Sequence, residues 1–272
     1  MALAAFAALL VFPSACKQVT TETLHNNANK EGTDIDPAEI ARDAGAAFDE
    51  TPRTLERVRL SSSMYARALD YESARSYEAL WKAARTEAWL AEYSNDNVER
   101  ERHANLGITY ANTALKLKPD APEATFYHGV LAGFIGDLDH DFGLDAVKNI
   151  ESDMKLLMDA DKDIANGGPW RAFGVLQLRA PGPPVSIGSL RNGKKNLETA
   201  LEKSPEWPEN HLYMAEAEFM WAKEKDKPEF KDQARERLDK YLLGTAAAPP
   251  AGFGFEFAAW QEKARALLDA NK

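Results

Sequence analysis

Two stretches of this chain repeat each other, and that repetition limits the folds open to it more than any other feature. Gly107 to Gly129 aligns with Gly193 to Ala215. The pattern Ala114-Leu115-x3-Pro119-x2-Pro122-Glu123 returns as Ala200-Leu201-x3-Pro205-x2-Pro208-Glu209, at an offset of 86 residues. Tyr127 pairs with Tyr213, and small Gly129 with small Ala215. In both copies a Gly is followed by an Ala seven residues later and a Pro five beyond that. A proline closes a helix because it cannot continue the hydrogen-bond ladder, and a Pro-Glu pair opens the next one. Each copy therefore predicts a helix end, a tight turn and a new helix, with small residues where the two antiparallel helices approach.

Other segments read the same way. Asp36-Pro37-Ala38-Glu39 supplies an N-cap acid, a proline at the first helical position and a Glu at the third. Ile40, Ala44, Ala47 and Phe48 then form one apolar stripe, and Thr51-Pro52 ends it. Helical stretches are predicted at about 53–70, 74–93 and 98–117, and strict alternation with turn punctuation is not evident. Residues 36–70 and 208–243 read as further degenerate units, the latter with the stripe Ala234, Leu238, Tyr241 and Leu242. A helix at 256–271, carrying Trp260, Ala264, Leu267 and Leu268, is expected to cap the array, whose end would otherwise expose an apolar face. The spacing is that of the tetratricopeptide repeat. The predicted fold class is all-α, a tetratricopeptide-like helical-hairpin solenoid with irregular repeats and a Gly/Pro-rich inserted loop. An offset of 86 is about two and a half units of 34, which predicts an insertion between the matched copies.

Composition excludes several functions. With 33 Lys and Arg against 43 Asp and Glu, the 272 residues carry a net charge of −10. That gives no electrostatic reason to bind nucleic acid or an anionic membrane. One cysteine permits neither an internal disulfide nor a Cys-based zinc site. That cysteine, Cys16, follows an apolar run from Ala2 to Phe12, too short for a membrane span, which needs roughly 20 residues, but matching a signal-peptide core. Ser14-Ala15-Cys16 predicts a lipoprotein signal over 1–15, lipid attachment at Cys16 and anchoring to a membrane through the lipid alone. Polar residues through 35 predict a flexible tether. A plain secretory signal, or a small buried cysteine at a helix start, are the other readings. The domain expectation is thus 1–15 signal, 16–35 tether and 36–272 a single α-helical repeat domain.

Conventional chemistry is sparse. His25, His103, His128, His140 and His211 show no paired metal spacing, and there is no Gly-x-Ser-x-Gly elbow. His128 and His211 are expected to pack or cap near the starts of repeat helices. The alternating acids Asp137, Asp139, Asp141 and Asp145 resemble the start of a calcium loop. Gly143 is one position late, however, and Lys148 stands where a bidentate Glu is needed, so a solvated connection is the stronger reading. No metal, cofactor or catalytic residue is predicted. Trp81 and Trp89, eight apart, share a helix face, as repeat core or as the lining of a concave groove.

The segment 167–188 is different. Nine of its 22 residues are Gly or Pro, against 30 of 272 in the whole chain, which predicts a short helix at about 169–178 and then a long shaped loop. Long loops on rigid scaffolds often carry function. Arg171, beside Trp170 and Phe173, either clamps a carboxylate ligand or pairs with an acid of a neighbouring helix. Gly168, Pro169, Trp170, Arg171, Ser186 and Gly188 are the candidate ligand- or partner-binding residues.

The run Gly168-Pro169-x-Arg171-x-x-Gly174, then Ala180-Pro181-x-x-Pro184-x-Ser186-x-Gly188-Ser189, then Ala200-Leu201-x3-Pro205, resembles the T component of TRAP transporters, a family of periplasmic lipoproteins built from cryptic tetratricopeptide repeats. Gly107-Ile108-x-Tyr110-Ala111-x-x-Ala114-Leu115-x3-Pro119 and Cys16 fit the same pattern, so the resemblance spans about residues 36–243. It implies a non-enzymatic protein, lipid-anchored in the periplasm with the outer membrane favoured by Lys17 after Cys16. It further implies a homo-trimer that docks a periplasmic solute-binding protein in the uptake of a hydrophobic or carboxylate ligand. Thr125 and His211 depart from the repeat, standing where a bulky apolar residue is usual. The alternative is a general tetratricopeptide scaffold for envelope assembly. A fold does not decide between them.

Overall fold

The computed structural model describes residues 36–138 and 143–272. Eleven α-helices follow one another among the described residues, with no strand: α1 (Pro37–Asp49), α2 (Leu55–Leu69), α3 (Tyr77–Tyr93), α4 (Asn97–Leu117), α5 (Pro122–Leu138), α6 (Gly143–Asp159), α7 (Gly168–Arg179), α8 (Leu190–Lys203), α9 (Pro208–Lys225), α10 (Glu229–Leu238) and α11 (Gly254–Ala270). Cys16, the 1–15 signal and the 16–35 tether lie outside the described residues, as do Asp139 and Asp141 of the acidic run.

The helix starts are written in local chemistry. Asp36 accepts from Ala38 N at 3.0 Å, Ser76 from Ala79 N at 3.2 Å, and Asp96 from Val98 N at 2.7 Å, each satisfying donors that the first turn leaves unpaired. Pro122 and Pro208 open α5 and α9, where a missing N–H costs nothing.

Odd and even helices form antiparallel hairpins, five in succession, and α11 packs on α9 as a sixth first helix. Each second helix also packs on the first helix of the next hairpin. The first helices touch one another in sequence, α1 with α3, α3 with α5, α5 with α7, α7 with α9 and α9 with α11. The second helices share no comparable packing. The odd helices therefore line the inner face of a tetratricopeptide-like solenoid, and the even helices form its outside.

Small residues sit where the repeat requires close approach. A Cβ on Gly107 would lie 2.7 Å from Leu131 and 2.8 Å from Glu87. One on Gly193 would lie 2.8 Å from the carbonyl oxygen of Gly174, so α7 and α8 meet backbone to backbone. Gly107 and Gly193 both lie on outer helices, of the second and fourth hairpins. The 86-residue offset thus corresponds to two whole hairpins rather than to two and a half units, with the expected insertion between the copies. The extra length resides in the connections 160–167 and 180–189.

The capping helix runs from Gly254, two residues earlier than expected. Trp260 and Ala264 pack with Phe257, Leu212, Phe219, Leu238 and Leu242 in the core of the last hairpin. The helix also reaches back to the second hairpin, which the periodicity does not anticipate. Lys263 Nζ donates to Glu92 at 3.0 Å, and Trp89 Nε1 donates to Glu256 at 2.9 Å.

Candidate functional site: the inner face of the hairpins

The first helices are joined laterally by aromatic and charged side chains. Arg85 reaches from α3 to Asp49 of α1 at 2.9 Å and lies over the Phe48 ring at 4.1 Å and the Trp81 ring at 5.5 Å. Trp81 stacks on Tyr127 of α5, with centroids 6.3 Å apart and planes at 6°. Arg179 of α7 forks onto Glu216 of α9 at 3.1 and 2.9 Å and covers Tyr213. Trp81 and Trp89 divide the two roles open to them. Trp89 is buried in a core cluster, whereas Trp81 stays half-exposed on the inner face.

These inner side chains are crowded yet not sealed. Tyr127 and Tyr213 are half-exposed, while burial pushes both phenols up to about 12. Burial likewise raises the Glu209 carboxyl, against the lowering effect of Arg171. For Lys263 burial works to lower the ammonium, but Glu92 and Tyr213 overcome it and hold it above its usual range. At one end the walls open into a cleft of about 330 Å³, lined among others by Glu92, Phe134, Asp137, Arg179, Tyr213 and Lys263. Its charges are of both signs and most already have partners, a surface suited to contacting another polar macromolecule rather than enclosing a small apolar one.

The structure brings Gly168, Pro169, Trp170 and Arg171 together at the start of α7, all buried. Arg171, 8% exposed, donates to the Asn166 and Ala165 carbonyls at 2.9 and 3.1 Å and to Asn210 Oδ1 at 2.7 Å, and pairs with Glu209 at 3.0 Å. It meets the acid of a neighbouring helix and also clamps the left-handed turn Ala165-Asn166-Gly167. Lys203 lies over the Trp170 ring at 4.9 Å. Ser186 and Gly188 sit apart, in the connection to α8. The Gly188 N–H donates to Pro181 O at 2.9 Å, and a Cβ there would fall 1.9 Å from the Ala180 oxygen, so any side chain forces the loop backbone to shift. The Ser186 hydroxyl is buried without a partner among the described residues.

The polar side chains at Thr125 and His211 both find backbone acceptors. Thr125 Oγ1 donates to Ala121 O at 2.9 Å, a carbonyl that also accepts the Thr125 N–H, whereas His211 Nε2 donates to Pro205 O at 2.6 Å in the turn before its helix. His211 also stacks on Tyr241 at 3.3 Å and accepts from Arg237 at 3.1 Å. Burial holds the imidazole down at about 4. His128 pairs with Asp153 at 2.6 Å, joining α5 to α6.

One polar cluster escaped the sequence reading. Ser62 Oγ donates to Glu87 Oε1 at 2.6 Å, and His103 Nδ1 contacts Glu87 Oε2 at 2.5 Å. The carboxylate stands between the serine and the histidine, so the imidazole does not reach the hydroxyl and no activated nucleophile results. Glu87 is fully buried between α2, α3 and α4. The cluster's signal was a charged residue on the otherwise apolar face Leu80, Ala83, Ala84, Ala91. Among the described residues no group of three or more His, Cys, Asp or Glu is placed to hold a metal ion, and no helix is long and apolar enough to cross a membrane.

No protein-family model matches the sequence, and no curated protein matches it. Among solved structures, the chain is similar to MamA (residues 41 to the end) from Desulfovibrio magneticus RS-1. Identity is 16% and the TM-score 0.47, over 75% of this chain and 96% of that one.

Proposed function

We propose that the protein is a non-enzymatic scaffold that holds a protein partner against the inner face of its odd helices. The observation that carries this reading is the half-exposed row of Trp81, Tyr127 and Tyr213, interleaved with Arg85, Arg179 and Lys263. Aromatic and arginine side chains on a rigid, partly solvated surface are the residues that dominate protein–protein binding energy. A solenoid of helical hairpins presents such a surface over a long span. The test is affinity capture from an extract of the source cells with wild-type protein and with a Trp81→Ala/Tyr127→Ala variant. One dominant protein retained by the first and lost from the second supports the reading. Equal recovery by both removes the inner face from it.

A second, narrower reading has the partner as the periplasmic solute-binding protein of a TRAP transporter, with the scaffold lipidated at Cys16, anchored in the periplasm and assembled as a trimer. The Gly168–Ser189 motif and the apolar run ahead of Cys16 support it. Mass spectrometry of the captured protein separates the two. A solute-binding protein favours docking, and envelope assembly factors favour the general scaffold.

A further inference from the structure

The first turn of α11 faces two ways. Phe257 belongs to the core of the last hairpin together with Trp260 and Ala264. The two residues before it point to the other end of the chain. Phe255 completes a cluster whose other members all come from the first two hairpins: Phe48, Leu55, Val58, Trp89, Leu90 and Tyr93. Its ring lies 5.1 Å from that of Trp89 and edge-on to Tyr93 at 5.7 Å. Glu256, 3% exposed, takes the Trp89 indole N–H at 2.9 Å and a guanidinium hydrogen bond from Arg53. Arg53 is already held in place, with Nε donating to Phe48 O at 3.1 Å and its guanidinium 4.6 Å over the Phe48 ring. Two fixed donors thus converge on one carboxylate beside an aromatic slot.

The occupant is attached on terms that allow it to leave. Glu256 Oε2 is buried with no partner among the described residues, so half of the carboxylate gains nothing from its burial. The helix start has no side-chain cap. The connection that delivers it, 244–253, contains Gly244, Pro249, Pro250 and Gly252, the last at φ +82°. Its backbone hydrogen bonds include local ones, Ala247 N to Gly244 O and Phe253 N to Pro250 O. Phe257, Trp260 and Ala264 hold α11 to the last hairpin independently of Phe255 and Glu256.

We infer that Arg53, Trp89, Tyr93 and the Phe48 ring form an acceptor for an aromatic–acidic peptide, a Phe-Glu step in a partner protein. In the free protein the chain's own Phe255-Glu256 fills it. The partner segment displaces this internal copy, and the first turn of α11 swings away from the second hairpin. The chemistry of the partner is read from the internal occupant: an aromatic ring for the slot, then a carboxylate for the guanidinium and the indole. The biological use of the acceptor rests on the partner-binding reading above. The test that follows uses purified components, so it stands or falls apart from capture of any cellular partner.

The experiment is a fluorescence-anisotropy titration of a labelled synthetic peptide spanning 251–262 with the full-length protein. A tethered occupant competes at an effective concentration on the millimolar scale, so wild type binds weakly. The Phe255→Ala/Glu256→Ala variant, whose acceptor is vacant, is expected to bind at least ten times more tightly. Adding Arg53→Met to that variant, or using a peptide with Gln in place of the Glu, is expected to abolish the gain. Equal affinity of wild type and vacated variant, or indifference to the Glu in the peptide, overturns the proposal. Should the double alanine variant lose its helical circular dichroism, Glu256→Gln serves instead, with the same expected order and at least a threefold gain. A Glu256→Gln protein that folds and binds no better than wild type also overturns it.

Discussion

His211 shows how one residue can depart from a repeat pattern and still serve it. Its ring is neutral, packed on Tyr241 and bonded at both nitrogens, and burial holds it at about 4 against an ordinary value of 6.5. A histidine depressed in the folded state takes its proton in the unfolded chain first. Stability is therefore full above pH 6.5 and declines as pH falls from 6.5 through 4, by up to about 3 kcal/mol at the conversion of 1.36 kcal/mol per unit. Urea unfolding midpoints measured between pH 7 and 4 are expected to fall for wild type and to fall less for His211→Gln. A second residue-scale prediction concerns Gly188. A methyl group cannot fit 1.9 Å from the Ala180 oxygen, so Gly188→Ala must shift the loop, costing roughly 1–3 kcal/mol in denaturant unfolding. The glycine was legible as part of an unusual segment. The reason for it, a carbonyl facing it across the loop, is a contact that no local pattern encodes.

At the scale of the element, α7 is held by its first turn. Arg171 joins the turn before α7 to Asn210 and Glu209 at the start of α9. Removing one partner of a buried pair strands the other, so Arg171→Met is expected to cost roughly 3–5 kcal/mol. Adding Glu209→Gln to that variant is expected to recover part of the loss, as thermal unfolding of the single and double variants would register. Helix existence was legible because the signals are local: Asp36-Pro37 and the Pro-Glu pairs each act within one turn. Unit length was not legible from a template of 34. The connections before and after α7 lengthen the hairpin without disturbing the Gly, Ala and Pro spacing inside the helices. Only the positions of Gly107 and Gly193 on outer helices reveal the doubling.

For the whole molecule, the decisive contacts join residues 167 and 203 positions apart, Trp89 and Arg53 with Glu256. An open solenoid unfolds as a chain of neighbours, and its ends can melt separately. Here the last helix is tied to the first two hairpins, so unfolding of wild type is expected to be a single transition, coincident by circular dichroism and tryptophan fluorescence. In Phe255→Ala/Glu256→Ala the two probes are expected to separate as the ends melt independently. Coincident transitions in both proteins would mean that neighbour packing alone couples the array. A row of hairpins free at one end stretches under load like a coil spring, each interface yielding a little. With α11 pinned to the second hairpin the coil cannot lengthen until that pin gives, so its compliance is stepped rather than smooth. A pull on the two ends would meet a stiff body up to one threshold force, and the same pin would set the largest object the inner face can admit without releasing it.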